Sequence, residues 1–301
     1  MPLPRLDLLE PSLGTDDPMV LIRGYLSRKD TGEVPNHSWI QELRAAGWRG
    51  SIHQLSWDSS GVSELTSYIA TAAGIVAAAG YGAHTFVSSK REPSAARNGE
   101  QDDVDTNSSV EAGGTRYTIL GRPVNPAAAT LTTAIGAAIG ARYHWARIKK
   151  RATHTGRSDA PALLREAFGS RPVSVMGFSL GARVAFGLLQ VAEQENLAIH
   201  DCYLVGGAVR CDAKKEWKRA GDAVQGTLFN VYNARDAVLA KLFRFAELNR
   251  RACGCRQITS EHRSFCNIDA TEFLDTTGHF QYPRCINEFL RDQLALALPT
   301  I

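Results

Sequence analysis

Ser179 stands in Gly177-Phe178-Ser179-Leu180-Gly181, flanked by glycines at Gly-x-Ser-x-Gly spacing. That spacing suits a nucleophile elbow, a sharp strand-to-helix turn that lifts one serine hydroxyl clear of a sheet. The glycines have a steric job, because a β-carbon at either flank would clash in so crowded a turn. Just upstream, Val173, Val175 and Met176 form the apolar run of a strand covered on both faces, and a helix follows Ser179. The Leu180 amide then falls in the first helical turn, where unpaired N–H groups and the helix dipole favour an oxyanion. The chemistry that fits is acyl transfer through serine. An ordinary βα turn could carry the same five letters, so the partners decide.

A serine hydroxyl needs an imidazole to take its proton and a carboxylate to hold that imidazole in the right tautomer. In an open parallel sheet, residues sharing a site come from loops at the carboxyl ends of strands. Asp236 follows the strand-like run Gly226 to Asn233, and His279 lies in the loop before the terminal helix. The order 179, 236, 279 is that of a Ser…Asp…His relay. Rivals remain for each role. His262 is the next base, also late in the chain, and Asp269 and Asp275 compete as the acid. His200 precedes a strand, at the wrong end of the sheet, and His84 lies in an apolar run as a packed residue. Near the start, Met19 to Ile22 reads as a buried strand running into Arg23-Gly24-Tyr25-Leu26. A glycine there lets backbone approach a ligand, so Tyr25 is the candidate for a second oxyanion N–H; a plain strand end is the competing reading.

The elements that must position these residues alternate along the chain. Residues 1–17 carry no predicted element. Trp39 to Ala46 has helical spacing and closes at Gly47, and Ser51 to Trp57 follows as a parallel strand; Asp58 at its end is a turn residue or, as the less favoured reading, a second carboxylate. Ala162 to Phe168 predicts a helix closing at Gly169, and Cys202 to Val205 a buried strand. Ile258 and Cys266 to Ile268 mark a final strand region, and Ile286 to Leu298 the last amphipathic helix. Strand–helix alternation predicts a mostly parallel sheet with helices on both faces.

The middle of the chain differs. Residues 68–87 are apolar and rich in Ala and Gly, Ser88 to Gly114 is polar and loop-like, and Ala127 to Ala141 is a second small-residue run. Arg142, Arg147, Lys149, Lys150 and Arg151 follow it. Gly74, Ala78 and Gly82, like Gly136 and Gly140, recur four apart and allow close helix packing. One reading is a packed helical hairpin or lid. The other is membrane contact through residues 68–87 and 127–151, the basic run lying near anionic headgroups. Ala and Gly give little transfer energy, which disfavours a full span.

With 301 residues, 44% hydrophobic and 22% charged, the chain is globular in composition. Its net charge of +3, from scattered basic residues, argues against a nucleic-acid partner. Met1-Pro2-Leu3-Pro4-Arg5 lacks the apolar core of a signal peptide, so a cytoplasmic setting with free cysteines is expected. Cys253-x-Cys255…His262…Cys266 matches no common zinc framework. Neither metal nor cofactor is called for.

The residues Met176 to Val184, Leu204 to Val209, Trp217, Asn230 to Asp236, Asn267 to Thr271 and Gly278 to Tyr282, in that order, resemble the family typified by transmembrane and coiled-coil domain-containing protein 4. That family is described as α/β-hydrolases acting as serine hydrolases or lipases. The resemblance is good over roughly 170–285 and loose at Ile22 to Tyr25 and Leu55 to Trp57. It implies Ser179 as nucleophile, Asp236 as acid and His279 as base. The expectation is therefore an α/β-hydrolase fold, with residues 1–60 and 155–301 as core and 61–154 as a helical insertion. The expected activity is hydrolysis of lipid or acyl esters. A catalytically silent membrane-associated interaction protein is the alternative, and a thioesterase or peptidase a further one.

Overall fold

A computed structural model of the chain describes residues 3–24, 34–59, 118–119, 122–123, 126–259, 262–274 and 278–296. In chain order the strands are β1 (Arg5–Glu10), β2 (Met19–Ile22), β3 (Ile52–Ser56), a short pair β4 (Thr118–Ile119) and β5 (Arg122–Pro123), β6 (Val173–Phe178), β7 (Ile199–Val205), β8 (Leu228–Tyr232) and β9 (Phe265–Asp269). The helices are α1 (Val34–Ala45), α2 (Pro126–His154), α3 (Ala160–Phe168), α4 (Leu180–Leu189), α5 (Lys214–Asp222) and α6 (Ile286–Leu296).

Seven strands make one sheet in the order β1-β3-β2-β6-β7-β8-β9. Within it only the β1–β3 pairing is antiparallel; every other pairing is parallel. The architecture is α/β. Every residue of β2, β6 and β8 is buried, as central strands covered on both faces require. On one face, Trp39 and Leu43 of α1 and Ile286, Phe289 and Leu290 of α6 close over Met19, Leu21 and Met176. Burying each such side chain is worth about 1.5–3 kcal/mol. Side chains alternate along a strand, so Val20, Ile22 and Val175 face the other way, where α4 packs on β2, β6 and β7.

One expectation needs correction. Residues 1–17, expected to hold no element, contain β1. Its charged ends Arg5 and Glu10 hide the pattern, and an edge strand needs only one covered face. The helix expected over Ala162 to Phe168, closing at Gly169, is present as α3, and it is the end of a longer helical run. Here α2 continues through a π-helical turn, Thr155–Asp159, into α3. Gly156 is why that turn can sit tightly: a β-carbon there would run into the Val184 carbonyl and lie 3.0 Å from the Leu188 amide of α4.

The chain divides into two compact units, Met1–Ser63 with Tyr143–Ile301, and Glu64–Arg142. The described parts of the second are β4, β5 and the beginning of α2. The run at 68–87, the loop at 88–114, His84 and Tyr25 lie outside the described residues. No described helix is long and apolar enough to cross a membrane.

Candidate active site

The turn between β6 and α4 is held by close backbone contact. Ser179 has φ 55° and ψ −117°, a conformation that costs a non-glycine residue about 1–3 kcal/mol. A β-carbon on Gly177 would lie 2.6 Å from the Ala182 Cα, and one on Gly181 would run into the Ile22 carbonyl. The Ser179 N–H donates to the Val205 carbonyl at 3.0 Å. Its own carbonyl accepts the amides of Ala182 (3.2 Å) and Ala208 (3.0 Å). The loop after β7 thus clamps the turn, a role that sequence reasoning did not assign to Gly206-Gly207-Ala208. Gly206 carries φ 51°, and the Gly206-Gly207 pair straight after the strand is the sequence signal that could have pointed there.

Three side chains from separate loops converge at this turn. His279, in a short 3₁₀ turn, lies 2.9 Å from Ser179 Oγ through Nε2 and 2.6 Å from Asp236 Oδ2 through Nδ1. A carboxylate only accepts, so Nδ1–H donates to Asp236 and Nε2 is left to accept the serine hydroxyl. The other oxygen, Asp236 Oδ1, accepts the Leu239 amide at 2.9 Å, which fixes the carboxylate plane. Asp236 is fully buried, and His279 and Ser179 are 2% and 8% exposed. The ring of Phe178 lies 5.2 Å from that of His279, and Phe280 meets it edge-on.

Leu180 heads α4, and its amide faces the first loop. A β-carbon on Gly24 would lie 2.7 Å from Leu180 N and 2.8 Å from the Phe178 carbonyl. Only a glycine lets the strand-end backbone come this near the serine.

The rivals lie elsewhere. His262 pairs with Asp222 at 2.8 Å. Its neighbour Phe265 opens β9, so this pair sits at the amino end of the sheet. His200, at the start of β7, pairs with Asp201, whose hydrogen bond raises the imidazole pKa against the opposing pull of burial. Asp269 accepts the Tyr232 hydroxyl at 3.0 Å and the Thr271 amide at 2.9 Å. Asp275 lies outside the described residues. Asp58, read as a turn residue, pairs with Arg151 at 3.4 Å. All six cysteines are free thiols. Burial pushes Cys253 and Cys255 up to about 12, so both are neutral near pH 7.

An α/β sheet with a buried Ser–His–Asp grouping at the carboxyl ends of its strands defines the general class. Residues 124–294 match the family described as proteins of unknown function DUF726, and the chain belongs to that family. It is 32% identical over 141 residues to an uncharacterized membrane protein of Schizosaccharomyces pombe, covering 46% of this chain and 24% of that one. Transmembrane and coiled-coil domain-containing protein STS1 of Oryza sativa subsp. japonica is 32% identical over 148 residues, 48% of this chain and 22% of its own. The probable lipase MIL1 of Saccharomyces cerevisiae is 30% identical over 142 residues, 47% of this chain and 13% of its own. The chain therefore spans about a quarter or less of these relatives' length. No solved structure matches it.

Proposed function

We propose that this chain is a serine hydrolase of the α/β-hydrolase fold, cleaving carboxylic esters of lipid or acyl substrates. The observation that carries the reading is the 2.9 Å and 2.6 Å spacing of His279 to Ser179 and Asp236. Ser179 attacks the ester carbonyl as His279 takes its proton, and Asp236 stabilises the imidazolium that forms. The amides of Leu180 and Tyr25 hold the oxyanion. His279 then protonates the departing alcohol, and water, activated by the same imidazole, releases the acid. The likeness to the probable lipase supports the lipid-ester class, as does the resemblance to the family typified by transmembrane and coiled-coil domain-containing protein 4. Residues 1–60 and 155–301 form the hydrolase core in this reading. The insertion at 61–154 contacts a membrane surface through 68–87 and 127–151, in line with the names of the relatives.

The test is turnover of p-nitrophenyl esters of graded chain length by wild type and Ser179→Ala, with fluorophosphonate labelling of the serine. Wild type should turn over and label; Ser179→Ala should do neither, and equal activity in the variant ends the reading. A second reading, a catalytically silent membrane-associated interaction protein, draws on the membrane names of the relatives and the near-complete burial of Ser179. It predicts an unlabelled wild-type serine. Matched ester, thioester and amide substrates separate an esterase from a thioesterase or peptidase.

A further inference from the structure

Beyond Asp236 the chain makes a π-helical stretch, Leu239–Phe243, and one further helical turn, Arg244–Ala246. The segment turns Leu239, Phe243, Ala246 and the Glu247 side chain inward. Lys241, Arg244, Phe245 and Leu248 point outward. Arg244 and Phe245 lie in the last helical turn, Lys241 in the π-helical stretch before it and Leu248 just after it, so the four are neighbours on one short exposed segment. Phe245 is 42% and Leu248 67% exposed, and Arg250 and Arg251, also exposed, follow at once. The segment's one carboxylate, Glu247, takes Lys149 Nζ and Trp145 Nε1 at 2.8 Å each and lies 3.6 Å from Arg183. Asp212, from the loop before α5, pairs with Arg210 and Arg250. The outward face is therefore basic and apolar together.

The backbone supplies an independent observation. Leu248 and Asn249 have φ 53° and 65°, and the Asn249 amide closes the turn on the Arg244 carbonyl at 2.7 Å. Asparagine tolerates the left-handed region. A leucine there is strained where glycine would not be, and its side chain gains nothing by burial. A residue that costs the fold and lies in water has its use outside the fold.

We propose that the face formed by Lys241, Arg244, Phe245 and Leu248, with Arg251, docks on an anionic lipid surface. The cations pair with headgroups, and Phe245 and Leu248 enter the interfacial layer. The segment is tied to the candidate site at both ends. It leaves from Asp236 and returns at Cys253 and Gly254, whose amides donate to the Val209 and Gly207 carbonyls at 2.8 and 3.0 Å. That is the loop whose Ala208 amide clamps Ser179, so the docking segment and the candidate site share one backbone support.

The experiment is co-sedimentation of the whole chain with phosphatidylcholine vesicles, with and without phosphatidylserine, at rising salt. Wild type should pellet with the anionic vesicles, less so as salt rises. Each of Lys241→Gln and Arg244→Gln should weaken binding roughly five-fold. Leu248→Gly separates docking from structure: it should weaken binding while leaving the thermal midpoint unchanged or higher. Several results would overturn the proposal. They are no vesicle binding by wild type, binding that survives all three substitutions, a lower midpoint for Leu248→Gly, or a patch that instead pairs two copies of the chain or binds single-stranded RNA in preference to vesicles. Ser179→Ala should bind vesicles as wild type does, so this inference and the hydrolase reading fail separately.

Discussion

His279 meets Asp236 at 2.6 Å and His262 meets Asp222 at 2.8 Å, so distance alone does not tell the two pairs apart. Their surroundings do. The first pair is 3% and 0% exposed at the side chains, the second 23% and 44%. Asp222 also takes Lys218 at 2.8 Å, so its charge is already answered by a cation and by water. The second ring nitrogen of His279 faces a serine hydroxyl, whereas that of His262 accepts the Ser264 amide at 3.3 Å. A histidine–carboxylate pair becomes a proton relay when water is excluded and a third group has a proton to give.

The largest expected effect tests that contrast directly. His279→Ala should lower ester turnover by about three orders of magnitude or more, while His262→Ala leaves it within roughly two-fold. A comparable loss from both substitutions would erase the distinction. Next, Asp236→Asn should cost roughly 10⁴-fold in kcat, because an amide donor facing Nδ1 selects the wrong tautomer. Asp222→Asn should leave kcat alone and barely move the urea midpoint, since exposed ion pairs contribute little.

The same contrast explains what could be read from the residues alone. The turn at Ser179 was legible because its glycines are forced: Gly177 and Gly181 each meet backbone where a β-carbon would sit, as does Gly24 in the first loop. Order along the chain made Asp236 and His279 candidates, since parallel strands deliver their loops to one rim, but it left His262, Asp269 and Asp275 open, and the family resemblance was needed to choose among them. The clamp by Ala208 was not legible, because a main-chain hydrogen bond leaves no mark on side-chain type. Nor was the Glu247 cluster, whose Trp145 partner lies 102 residues away. β1 escaped because an edge strand with charged ends lacks a two-sided apolar run.

A smaller effect concerns the strain at Ser179. Both Ser179→Gly and Ser179→Ala remove the hydroxyl, but only glycine accepts φ 55° without cost. Ser179→Gly should therefore be about 1 kcal/mol more stable than Ser179→Ala in urea unfolding. Equal stability would mean the turn relaxes without the serine.

The last prediction extends the buried-versus-exposed comparison to acid. Burial alone would raise the Glu247 carboxyl, but the Lys149 and Trp145 hydrogen bonds and the Arg183 charge outweigh it and hold it below its usual range. A depressed folded value stabilises the native state above the unfolded carboxylate range, and that contribution is lost as pH falls through the folded value. Glu247→Gln keeps the shape, so its cost of roughly 1–3 kcal/mol near pH 7 should shrink as the pH is lowered below the carboxylate range. Asp222 is also depressed, by Lys218 first and His262 next, yet it lies in water. Asp222→Asn should therefore give a nearly flat difference over the same range. Urea midpoints of both variants against pH would decide it. A Glu247→Gln gap that stays constant into acid would assign the cluster's contribution to packing rather than charge.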